Sequence, residues 1–70
     1  MKLFREKNKE YIGKTWDHYL RLTSDNGCFS VQEYVNGGEE TVDAMVKHLH
    51  NLLIVKMQDE IIKMMDEVKK

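Results

Sequence analysis

The sequence predicts an α+β fold in which a three-stranded antiparallel meander is followed by one long C-terminal helix, and the molecule is expected to be a dimer. Three observations carry this. The stretches "TWDHYLRL" and "CFSVQEYV" both alternate with period 2 and flank Asn26-Gly27. After "NGGEE", no Gly or Pro interrupts residues 39–68. Finally, 70 residues sit near the lower limit for a self-sufficient core, and a single cysteine allows neither an internal disulfide nor a Cys-x-x-Cys zinc site. Association is the remaining common means of stabilising so small a domain.

The elements follow in chain order, as one domain with a meander over residues 1–36 and a helix over residues 38–69. "KLFRE" is expected as a short first strand, "KNK" as a turn, and "EYIGK" as the start of a second strand extended through Gly13. A helical reading of "LFREKNKEYI" has only a thin stripe, because Leu3, Phe4, Tyr11 and Ile12 are its sole apolar residues. In the second strand Trp16, His18, Leu20 and Leu22 share one face, and Thr15, Asp17, Tyr19 and Arg21 the other. Asn26-Gly27 tolerates the positive φ angles of a tight hairpin turn. The third strand places Phe29, Val31, Glu33 and Val35 opposite Cys28, Ser30, Gln32 and Tyr34.

The helix opens with Glu39, Glu40 and Asp43, where negative charge suits the dipole, and closes with Lys69-Lys70. Some 30 residues make a rod about 45 Å long, whereas a seven-residue strand spans about 23 Å. Val42, Val46, Leu49, Leu53, Met57, Ile61, Met64 and Val68 form one stripe at spacings of three and four. A second set, Met45, Leu52, Val55, Ile62 and Met65, lies beside it or wraps away from it. Within "NLLIVKM", four consecutive apolar residues point in four directions. Too little chain remains to cover both faces. Burying a Leu or Ile gains about 1.5–3 kcal/mol, so leaving the second set in water forgoes several kcal/mol. A homodimer is therefore expected, with Met45, Leu52, Ile54, Val55, Ile62 and Met65 at its interface.

Net charge is −1, which supplies no strong field for nucleic acid or anionic membrane. The charge is uneven, however. Lys2, Arg5, Lys7, Lys9 and Lys14 stand against Glu6 and Glu10, a local +3 interleaved with Phe4 and Tyr11. Those five cations are the candidate nucleic-acid contacts, ranked below a protein partner. The longest apolar run is "LLIV", against roughly 18 residues for a membrane span, and the N-terminus lacks the apolar segment of a signal peptide. A cytoplasmic location is expected. His48 and His50 are two residues apart on a helix and cannot chelate one ion as an i, i+4 pair does. Cys28 reads as an ordinary buried cysteine. Asp17 and His18 point to opposite faces of a strand and form no dyad. No catalytic residue, cofactor site or metal ligand set is expected.

The series "LFRE", "EYIGKTWDHYLRL", "CFSVQEYV" and "ETVDAMVKHLHNLLIVKMQDEIIKMMDEV" resembles, in order and length, the YopT-type proteins of Bacillus prophages. That resemblance implies a small homodimer with three strands and one helix per protomer and no assigned function. It carries over no functional residue. "GCFSVQEYVNGGEETVDAM" has a second, weaker likeness to antitoxins of the HicB type, but the chain ends before any separate DNA-binding segment. The expected role is that of a non-enzymatic interaction protein acting as a homodimer, the alternative being a nucleic-acid-binding dimer.

Overall fold

The computed structural model describes the backbone of residues 1–68 and the side chains of residues 1–65. The elements are β1 (Lys2–Tyr11), β2 (Lys14–Thr23), β3 (Ser30–Val35) and α1 (Glu39–Val68). The strands form one antiparallel sheet in the order β1-β2-β3, so the α+β meander-plus-helix architecture is present. The expected helix end at Lys69-Lys70 and the Val68 side chain lie outside the described residues.

The first strand corrects the sequence reading. β1 is continuous across "KNK", pairing Lys7 with His18 and Lys9 with Trp16 on either side of Asn8. Asn8 takes a left-handed φ of 55°, so the chain kinks there and does not reverse; Asn tolerates that conformation better than most residues. The reversal comes at Ile12 and Gly13, with φ of 51° and 70° between the paired residues Tyr11 and Lys14. Positive φ at both central positions defines the two-residue turn whose twist matches a hairpin. Gly13 is therefore a turn residue, not part of a strand. Ile12, β-branched and 83% exposed, occupies a position that suits Asn far better.

The second connection is longer than the expected tight turn. Six residues, 24–29, separate β2 from β3, and only Gly27 among them has positive φ. The loop winds around buried Ser24, whose backbone N–H donates to the Phe29 carbonyl at 2.8 Å and whose carbonyl accepts from Gly27 at 2.9 Å. The Ser24 hydroxyl accepts from the Phe29 N–H and donates to Asn26, which also accepts the Cys28 N–H. Cys28 is exposed in this loop, contrary to expectation.

α1 packs across β2 and β3 but not β1. Leu20, Leu22, Val35, Val42, Leu49 and Leu53 make the buried core, with Phe29, Val31, Met45, Val46 and Met57 packed against it. Gly37 fixes the angle at which the chain enters α1. Its φ is 136°, and a Cβ there would lie 2.6 Å from the Thr41 hydroxyl oxygen, so only glycine fits.

The helix is too long for this core. The molecule measures 48 × 25 × 16 Å with a radius of gyration of 14.9 Å, against about 11 Å for a compact domain of this length. It exposes 5420 Å²; a compact chain of 8.3 kDa exposes roughly 4600 Å². The excess is roughly 800 Å², and the last turns of α1 contribute to it, with Ile61, Ile62, Met64 and Met65 exposed beyond Met57, which packs against the core.

Candidate interaction surfaces

The four adjacent apolar residues of "NLLIVKM" divide among three environments. Leu53 is fully buried, Ile54 half-buried, and Leu52 and Val55 are exposed, Val55 to 53%. Of the six residues expected at a dimer interface, Met45 packs against the sheet core. Leu52, Val55, Ile62 and Met65 are exposed and available. Ile61 and Met64, expected on the sheet-facing stripe, are also exposed, because no sheet lies beneath them. The spacing of the stripe was legible; the point where the sheet ends under it was not.

The two flanks of α1 differ. On the β3 side, Lys56 donates to the Ser30 carbonyl at 3.2 Å. On the β1 side, Val46, Lys47, His50 and Asn51 of the helix and Leu22 of the sheet line an open groove of about 410 Å³. Leu3, paired with Leu22 on this face, is 47% exposed beside it. A three-stranded sheet is about 14 Å wide at about 4.8 Å per strand, and one helix of about 10 Å cannot cover it. Composition alone did not point to the groove residues.

A polar strap closes the other end of the core. Arg5 donates to both Glu39 carboxylate oxygens, at 2.6 and 3.1 Å, tying β1 to the first turn of α1. Buried His18 sits between them, with Nε2 3.1 Å from the Gly37 carbonyl and Nδ1 3.4 Å from the Arg5 guanidinium. A carbonyl only accepts, so Nε2 carries the proton and Nδ1 accepts from Arg5. The hydrogen bond from Arg5 holds the Glu39 carboxyl below its ordinary value, outweighing the opposing desolvation. The same carboxylate raises the Arg5 guanidinium.

That strap changes the basic segment. Arg5 is engaged with Glu39, and Lys9 pairs with Glu6 at 3.2 Å. Lys14 lies over the Trp16 ring at 4.2 Å. Lys2 and Lys7 are exposed on β1. Three of the five cations are therefore already engaged within the chain.

The sheet face away from α1 carries a row of aromatic rings. Phe4 meets Tyr19 edge-on at 6.0 Å, Tyr19 lies 5.0 Å from Tyr34, and Tyr34 stacks on Tyr11 at 4.3 Å. Trp16 joins them, 6.0 Å from Tyr34. It was expected on the face of His18 and Leu20, but it stands past the kink at Asn8 and beyond His18, the last β2 residue paired with β3. The Trp16 Nε1 and Arg5 Nε atoms are buried without a hydrogen-bond partner. Arg21 lies 5.0 Å over Phe4, and Tyr19, buried beside the rings of Phe4 and Tyr34, keeps its hydroxyl paired by donating to Gln32 at 2.7 Å.

His48 and His50 are exposed and separate. Among the described residues, no three His, Cys, Asp or Glu side chains gather where they could hold a metal ion, and no helix is long and apolar enough to cross a membrane. No protein-family model, curated protein or solved structure matches the chain.

Proposed function

We propose that the chain is a non-enzymatic interaction protein that works as a homodimer in the cytoplasm. The observation that carries this is the apolar overhang of α1, with Ile61, Ile62, Met64 and Met65 all exposed beyond Met57, which still packs against the core. A single copy exposes roughly 800 Å² more than a compact chain of its mass, close to the roughly 800 Å² that each partner buries in a standard interface. The architectural resemblance to the homodimeric YopT-type prophage proteins points the same way. An apolar flank left over after dimerisation would serve capture of a further protein. Light scattering at micromolar concentration tests the reading: twice 8.3 kDa is expected, and the single-chain mass would refute it.

A second reading has one observation in its favour, the aromatic row beside Arg21 and Lys14. Exposed Phe4 and Tyr11 offer faces on which single-stranded nucleic acid bases stack. Filter binding at low salt tests it. Retention lost in both Tyr11→Ala and Lys14→Glu supports base stacking, and no retention of DNA or RNA by the unmodified chain disposes of it.

A further inference from the structure

The groove and the overhang are complementary parts of one surface. Along the β1 flank of α1, Val46 and His50 are followed by Ile54, Met57, Ile61 and Met65, at spacings of 4, 4, 3, 4 and 4. That order is the same read in either direction, about a centre between Val55 and Lys56. At about 100° per residue these six positions share one side of the helix. A second helix running antiparallel would therefore set Met65 against Val46, Ile61 against His50, and Met57 against Ile54, twice over.

We infer that the homodimer proposed above forms by this antiparallel pairing, each overhang seated in the groove of the other copy. The inference rests on that dimer and adds its geometry. Two-fold symmetry requires one self-complementary patch, and the palindromic spacing supplies it. The seated overhang lies beside α1 above β1, the strand that α1 leaves uncovered, and it shields Leu3 where the buried Leu22 floors the groove. Met64, in line with Leu53 and Met57 on the helix, then meets the partner's sheet where its own has ended. Antiparallel helices also oppose their dipoles favourably. Leu52, Val55 and Ile62 fall on other sides of the helix and stay outside the seam.

Directed cross-linking tests the arrangement. In a Cys28→Ser background, one chain carries His50→Cys and a second, differently tagged, carries Ile61→Cys; both positions are exposed. The mixed chains are oxidised gently after light scattering has established their mass. The pairing requires the two-tag disulfide to become the main covalent species, with Val55→Cys chains failing to link to themselves. A dimeric mass without the two-tag link, or efficient Val55→Cys self-linkage, overturns the geometry and leaves the dimer standing. A single-chain mass for the unmodified protein overturns both.

Discussion

At the residue scale, Ile12 and Gly37 show how backbone conformation constrains identity. A β-branched residue in the left-handed region costs about 1–2 kcal/mol, and Ile12, almost wholly exposed, recovers none of it by burial. Ile12→Asn is expected to stabilise the hairpin by about 1 kcal/mol, raising the thermal midpoint by about 4–8 °C; a lower midpoint in calorimetry would count against the turn. Leu53 sits two residues from Val55 yet behaves oppositely. Leu53→Ala should cost about 2–5 kcal/mol, whereas Val55→Ala should leave the urea midpoint nearly unchanged. Glu39 gives a pH dependence. Because its folded pKa is depressed, its contribution is intact above the ordinary value of 4.5 and fades as pH falls through the lowered one. Glu39→Gln should therefore lose less stability than the parent between pH 6 and pH 3 in urea titrations; an equal loss would show that the Arg5 contact contributes nothing.

Elements differ in how much of them the sequence revealed. Period-2 alternation exposed β2 and β3, and the absence of Gly and Pro exposed α1, because both are local signals. β1 was obscured because its ladder holds across Asn8, and its turn carries Ile where Asn would have announced it. For α1 the periodicity was plain, but which apolar residues find a sheet depends on where β2 and β3 stop, a tertiary fact. Thus Met45 moved from the expected interface into the core, and Ile61 and Met64 moved out of it. The groove was hidden for the same reason, since it exists only because one helix cannot span three strands. Lysine at Ile54 or Ile61 is expected to weaken association about tenfold or more while the protomer stays folded. Val55→Lys should change it little. Sedimentation of the three variants at matched concentrations checks this, and the reverse order would place the seam on the other flank.

For the whole molecule, assembly and stability should be one process. The buried core of a single copy is small, Leu20, Leu22, Val35, Val42, Leu49 and Leu53 with their partly buried neighbours, and domains of this size seldom gain more than about 3–5 kcal/mol from one core. An interface of standard size adds stability that depends on protein concentration. The most direct measurement is thermal unfolding, followed by helical circular dichroism, on samples whose mass is read by sedimentation equilibrium across a dilution series. The dimer account requires a mass of twice 8.3 kDa at high concentration, and a midpoint that falls on dilution as the single-chain mass appears. A single-chain mass throughout, with a midpoint indifferent to concentration, would contradict it.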